Sequence, residues 1–144
     1  MSDTDVTRAL FDRWERVWSH GELDLVPTCV APHYLRHEEG GDRIVTPESY
    51  AAEIVALKRE RPDFLIVAYD YSFQGNRAWY RVAMRWTDRA SGALQTRAAM
   101  QAYRIEDGKL AETWVMSWPV GSSWPDAAPL ERWTSPVSSI AGGA

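Results

Sequence analysis

Two histidines and a tyrosine lie close together in the stretch HYLRHEEG, residues 33–40. Imidazole titrates near neutrality, so His37 can take up and return a proton with little tuning of its pKa. The phenol of Tyr34 can donate a hydrogen bond to a carbonyl or enolate oxygen. We therefore predict His37 as a catalytic acid–base group and Tyr34 as an oxyanion donor. In the structural alternative, both side chains only form local hydrogen bonds.

A single carboxylate, Asp70, interrupts the apolar stretch FLIVAYDYSF, residues 64–73. It is either a base with a raised pKa that faces a pocket or the ion-pair partner of an arginine on a neighbouring strand. The sequence has no phosphate-binding glycine loop and no GxSxG motif. Its single cysteine, Cys29, excludes an internal disulfide and a cysteine-based zinc cluster. We expect neither a metal nor a cofactor.

The composition is that of a globular protein with 144 residues, eight tryptophans and a net charge of −4. The acidic balance argues against a nucleic-acid-binding protein, because no basic run interrupts it. No apolar stretch approaches the ~20 residues that cross a membrane, and the first residues do not resemble a signal peptide. We expect a cytoplasmic protein whose partner is a small molecule.

Helical patterns dominate the first part of the chain. Apolar residues recur at helical spacing over residues 3–19, where Asp3 or Thr4 can cap the helix. A short second helix is predicted over 22–30, and a short strand that runs into a glycine turn over 33–42. Thr46 and Pro47 predict the start of a third helix that ends near residue 61.

From Phe64 onward the pattern is that of β-strands. Four strands are separated by turn signals: FLIVAYDYSF, RAWYRVAMRWT, LQTRAAMQAYRI and KLAETWVMSW. Three helices followed by a four-stranded antiparallel meander indicate one α+β domain over residues 1–144, with a core of about 6–118. The extension over 119–144 is predicted to wrap the surface and to fray at its end, SSIAGGA.

Four motifs, WSHGELDLV, YLRHEEG, RPDF and YRIEDGKLAETW, make this chain resemble the SnoaL-like polyketide cyclases of the nuclear-transport-factor-2-like superfamily. The resemblance implies a cone in which three N-terminal helices pack on a curved antiparallel sheet around one pocket. It also implies cofactor-independent acid–base chemistry, such as cyclisation, isomerisation or dehydration, and often a homodimer formed through the sheet. His37 occupies a position where many relatives carry a histidine near the pocket. Other relatives bind ligands without catalysis.

The resemblance also exposes a difference. In these enzymes, and in the related limonene epoxide hydrolases, a carboxylate usually follows the tryptophan of the last strand, often with another three residues later. Those positions are Val115 and Trp118 here, and neither can accept a proton. The usual general base is therefore missing, so another group does the chemistry or none is done.

Strand register decides which residues line the pocket, because a shift of one residue exchanges the two faces. We favour a three-residue loop, Glu106–Asp107–Gly108, over a two-residue Asp107–Gly108 turn. If the position of Val115 marks the pocket face, the predicted lining and nearby residues are Arg81, Arg85, Arg97, Gln101, Tyr103, Thr113 and Val115. The face with Trp114, Met116 and Trp118 then packs on a second subunit. Otherwise that apolar face is the core and the arginines face solvent.

Trp14 and Trp18 lie on the inner stripe of the first helix, where they either only pack in the core or form a flat pocket wall for a cyclic substrate. The leading hypothesis is a cofactor-independent acid–base enzyme that acts on a small cyclic or polyketide-like molecule. One alternative is a non-catalytic ligand-binding or scaffold protein. Another is an enzyme resembling the epoxide hydrolases, although their Asp–Arg–Asp arrangement is not intact here.

Overall fold

The computed structural model describes residues 2–137 and combines helices with one mixed sheet. The helices are α1 (Asp3–His20), a 3₁₀ turn (Leu23–Leu25), α2 (Val26–Cys29) and α3 (Pro47–Glu60). The strands are β1 (Val30–Glu38), β2 (Gly41–Val45), β3 (Leu65–Gln74), β4 (Arg77–Thr87), β5 (Leu94–Glu106) and β6 (Lys109–Ser117).

The long helices begin at side-chain caps. Ser2, rather than the predicted Asp3 or Thr4, caps α1 in a reciprocal pair with Asp5, and Thr46 caps α3 as predicted. The helix predicted over 22–30 is wrong in length. It is a 3₁₀ turn followed by a single α-turn, because the chain enters β1 at residue 30 and pairs there with β6.

The sheet has six strands in the order β2-β1-β6-β5-β4-β3, and only the β1–β6 pair is parallel. The short strand predicted over 33–42 is instead part of a hairpin, β1 and β2, with a turn at Glu39 and Gly40. The helices cover the inner face of this sheet, so the predicted α+β cone is confirmed.

The β5–β6 turn differs from the prediction but keeps the predicted faces. It is a two-residue turn in which Asp107 and Gly108 have φ angles of 53° and 71°. A bulge at the step from Arg104 to Ile105 leaves one extra residue, Ala111, in β6. Tyr103 therefore lies opposite Thr113, which keeps the odd-numbered residues of both strands on one face.

The pairing of β4 with β5 corrects the placement of two arginines. Tyr80 lies opposite Gln101 and Val82 lies opposite Ala99, so the even-numbered residues of β4 share the inner face with Gln101. Arg81 and Arg85 therefore project from the outer face. The length of the turn between β4 and β5 sets this register. The turn residues over 88–93 did not predict that length, so the sequence left the facing residues of the two strands undetermined.

Beyond β6 the chain passes across the sheet and then to its β3 edge. Trp124 packs against Trp118 and Arg81. The N–H of Leu130 then donates to the carbonyl of Ala68 in β3 at 2.8 Å, and Trp133 enters the core. The predicted fraying of residues 138–144 lies outside the described residues.

Candidate functional site

A cavity of about 320 Å³ lies between the inner face of the sheet and helices α1 and α3. Its size is near the lower end of small-molecule pockets, ~300–1,000 Å³. The residues that line it are Phe11, Trp14, Trp18, Arg36, Glu38, Arg43, Tyr50, Glu53, Ile54, Leu57, Phe64, Ile66, Tyr80, Val82, Met84, Gln101, Tyr103, Val115 and Trp133.

Aromatic rings form much of the cavity wall. Trp14 stacks on Tyr50 with ring centroids 6.0 Å apart and meets Trp18 edge-on at 6.1 Å. Phe11 packs edge-on against Tyr103 at 5.0 Å. Helical spacing on α1 places Phe11, Trp14 and Trp18 along one stripe. These flat surfaces suit a planar or cyclic ligand.

A buried arginine, Arg36, is the main polar feature of the cavity. Its Nε donates to Oε2 of Glu38 at 2.7 Å and its Nη1 donates to the Tyr34 hydroxyl at 2.8 Å. The guanidinium also lies over the rings of Tyr34 and Tyr50, 5.3 and 4.9 Å from their centroids. Burial lowers the pKa of Arg36, but Tyr50, Tyr34 and Glu38 outweigh burial and raise it overall, so the group stays charged.

A chain of alternating charges continues from Arg36 toward solvent. Glu38 also accepts from Nε of Arg43 at 2.7 Å, and Arg43 holds Glu53 through two bonds of 2.6 Å. The Arg43 and Glu53 side chains are 38% and 40% exposed, so this end of the cavity reaches the surface. Burial raises the pKa of Glu38, but hydrogen bonds from Arg43 and Arg36 leave it below its ordinary value. Glu38 is therefore an ionised, weak base.

Several donors beside the cavity have no acceptor among residues 2–137. They are Nη2 of Arg36, the Tyr50 hydroxyl and the indole N–H groups of Trp14 and Trp18. Within the same residues, no fully buried side-chain nitrogen or oxygen lacks a partner. These donors are therefore not completely enclosed by protein atoms, and all four residues line the cavity. Burial raises the pKa of Tyr50, which keeps its hydroxyl protonated.

The structure places several predicted site residues in or directly behind the cavity wall. Trp14, Trp18, Gln101, Tyr103 and Val115 line it. Two more predicted residues, Tyr34 and Thr113, do not line the cavity but are fully buried beside Arg36. A short hydrogen bond joins their hydroxyls. Burial raises the pKa of Tyr34, so this phenol stays neutral and supports Nη1 of Arg36.

His37 lies outside the cavity, on the outer face of the sheet. Its Nε2 and Nδ1 bond to carboxylates of Glu112 and Asp42 at 2.6 and 2.9 Å, and its ring stacks on Trp114 at 5.2 Å. The hydrogen bonds to Glu112 and then Asp42 raise the pKa of His37. The predicted catalytic role finds no support in this placement.

Four other predicted residues, Asp70, Arg81, Arg85 and Arg97, are also outside the cavity lining. Asp70 and Arg81 form an ion pair of 3.3 Å on the outer face, where Arg81 also binds Asp126. Arg97 bonds to the Trp118 carbonyl at 2.6 Å and to Glu39 at 3.0 Å. His37, Asp70 and Arg81 therefore do not converge on one cavity.

Sequence reasoning missed the polar residues Arg36 and Glu38, which line the cavity. The signal was available in β1, because side chains alternate between faces along a strand. Tyr34, Arg36 and Glu38 share one face, and His37 must lie on the other. The predicted pair of Tyr34 and His37 could not both face one cavity.

Among residues 2–137, no group of three or more histidine, cysteine or acidic side chains could hold a metal ion. None of the described helices is long and apolar enough to cross a membrane.

Comparison with known proteins agrees with the geometry. The family model for SnoaL-like polyketide cyclases matches residues 8–117. A SnoaL-like polyketide cyclase from Agrobacterium tumefaciens is 17% identical with a TM-score of 0.66, covering 82% of this chain and 92% of its own. TsrD from Streptomyces laurentii is 20% identical with a TM-score of 0.65, and the match covers 78% of this chain and 88% of TsrD. No curated protein sequence is significantly similar. At these identities the structural matches show the fold alone.

Proposed function

Because the chain belongs to the SnoaL-like polyketide cyclase family, we propose that it is a cofactor-independent cyclase that acts on a small, planar, polyketide-like molecule in the cavity. One observation carries this proposal. Arg36 lines an aromatic cavity, and one donor of its buried guanidinium, Nη2, has no acceptor within residues 2–137.

Arg36 is suited to hold an oxyanion. Glu38 and Tyr34 fix its orientation before a ligand arrives, and a fixed donor needs little reorganisation when negative charge develops. The low polarity of the surrounding rings strengthens its attraction for that charge. The Tyr50 hydroxyl is a second free donor in the same wall.

Glu38 is the proton acceptor in this proposal, in place of His37. Each of its oxygens holds one arginine and keeps a lone pair for another hydrogen bond. Because its pKa is low, it suits a carbon acid whose enolate is strongly stabilised. The substrate class is therefore a β-dicarbonyl compound.

The steps balance without a co-reactant. The Glu38 carboxylate takes the proton from the carbon between two carbonyls, and the C–H electron pair moves into the enolate held by Arg36. The enolate carbon then attacks a third carbonyl of the same molecule, which becomes an alkoxide. Glu38 returns its proton to that alkoxide.

The experiment follows deuterium exchange into 2-acetyl-1-tetralone, a bicyclic β-diketone, by NMR in D₂O. The wild type should accelerate exchange over buffer, and R36M should lose ~10²–10³-fold of that acceleration, the usual effect of removing one oxyanion donor. R81M is the matched control, since Arg81 lies on the outer face. Unaccelerated exchange in the wild type would refute the proposal.

A binding protein is the second candidate, and a specific observation favours it. Val115 lines the cavity at the position where relatives usually carry a carboxylate, and both cavity carboxylates are already held by arginines. In this case the wild type binds 2-acetyl-1-tetralone in calorimetry without accelerating exchange.

A second copy of the chain is the proposed protein partner. The outer face carries Trp79, Trp114 and Met116, which are 37%, 38% and 65% exposed. Arg77 and Glu112 lie beside them and supply both charges, as a self-complementary contact requires.

A further inference from the structure

Trp133 lines the cavity although it lies outside residues 8–117, the part of the chain that the family model matches. The side chain is buried, with 7% of the residue exposed. The C-terminal segment thus contributes a wall of the cavity that the helices and strands do not supply.

Hydrogen bonds to three elements, α1, β3 and β4, fix Trp133 in place. Its backbone N–H donates to Glu15 of α1 at 3.1 Å, and its carbonyl accepts from the Tyr80 hydroxyl at 2.9 Å. Its indole N–H donates to the Ile66 carbonyl in β3 at 3.1 Å. The first two bonds use backbone atoms, so they survive a change of side chain.

The neighbouring residues reinforce this anchor. Leu130 donates to the Ala68 carbonyl of β3, and the Thr134 carbonyl accepts from Arg8 at 3.0 Å. The segment therefore occupies backbone acceptors of the edge strand β3. An element held at so many points acts as a fixed wall.

Trp133 and the charged residues lie at opposite ends of the cavity, near opposite edges of the sheet. Arg36 and Glu38 belong to β1 and Arg43 belongs to β2, at one edge, whereas Trp133 is bonded to β3 at the other. The charged end reaches the surface and the Trp133 end is buried. A ligand whose oxygen meets Arg36 therefore extends its rings toward Trp133.

We propose that Trp133 is a specificity-determining residue that closes the β3 end of the cavity and limits the length of the ligand. This inference rests on the proposed function only in that the ligand occupies this cavity. Replacing the Trp133 side chain with the methyl group of alanine lengthens the apolar space of the cavity. A ligand with a third fused ring then has room to bind.

Calorimetry with 2-acetylnaphthalene and 2-acetylanthracene tests this directly. These ketones differ by one fused ring and carry the same acceptor for Arg36. The wild type should bind the two-ring ketone at least about tenfold more tightly. W133A should reverse this preference, and W133F, which keeps the backbone anchors and a smaller ring, should reduce it.

W124A is the matched control, because Trp124 belongs to the same C-terminal segment and does not line the cavity. It should keep the wild-type preference. An unchanged preference in W133A and W133F, or no binding of either ketone to the wild type, overturns the inference. A shifted preference without accelerated proton exchange supports Trp133 as the wall while refuting the proposed enzyme.

Discussion

Replacing Arg36 with methionine should separate function from stability. Breaking a buried ion pair usually costs ~3–5 kcal/mol because a charge is left unpaired. In R36M, Glu38 keeps its 2.7 Å hydrogen bond from Arg43, and the Tyr34 hydroxyl keeps its hydrogen bond with the Thr113 hydroxyl. The substitution therefore leaves no orphaned partner.

The magnitude follows from terms of opposite sign. Arg36 makes two hydrogen bonds that involve the charge, each worth ~1.5–3 kcal/mol, and two cation–π contacts of ~0.5–2 kcal/mol. Burying the Arg36 charge costs several kcal/mol of desolvation, and replacing a buried ion pair with apolar side chains often leaves the free energy of unfolding unchanged. We expect R36M to change the free energy of unfolding by less than ~1.5 kcal/mol.

Urea unfolding followed by tryptophan fluorescence measures this change. L10A is the reference, because Leu10 is fully buried and its truncation should cost ~2–5 kcal/mol. If R36M loses more than ~3 kcal/mol, Arg36 is held for stability and the argument that it awaits a ligand fails.

Three further outcomes are expected. E38Q should lose most of the accelerated deuterium exchange and keep calorimetric binding, whereas loss of both would contradict its role as base. The pKa of His37 is raised from 6.5 in the folded protein, so protonated His37 stabilises the fold fully below pH 6.5 and loses this effect as pH rises through the folded-state pKa. The melting temperatures of H37Q and wild type should therefore converge at high pH. A difference that stays constant with pH would contradict this. W114A should shift sedimentation toward the monomer, whereas an unchanged dimer would exclude this face.

The sequence by itself determined the helices and strands that local signals encode. The Thr46 cap and the turns around β4 and β5 are local, and they predicted α3 and the four-stranded meander. Alternation along β1 also separates Tyr34 from His37. The missing carboxylate at Val115 was likewise visible without a structure.

Only the tertiary structure decided which residues share the cavity. The face of Arg81 depended on pairing between strands, and the bulge after Arg104 restored a register that the turn alone would have changed. Trp133 enters the wall through contacts with α1 and β3, which are distant in the chain. Such long-range contacts leave no local periodicity in the sequence, so the closed end of the cavity emerges only when the chain is folded.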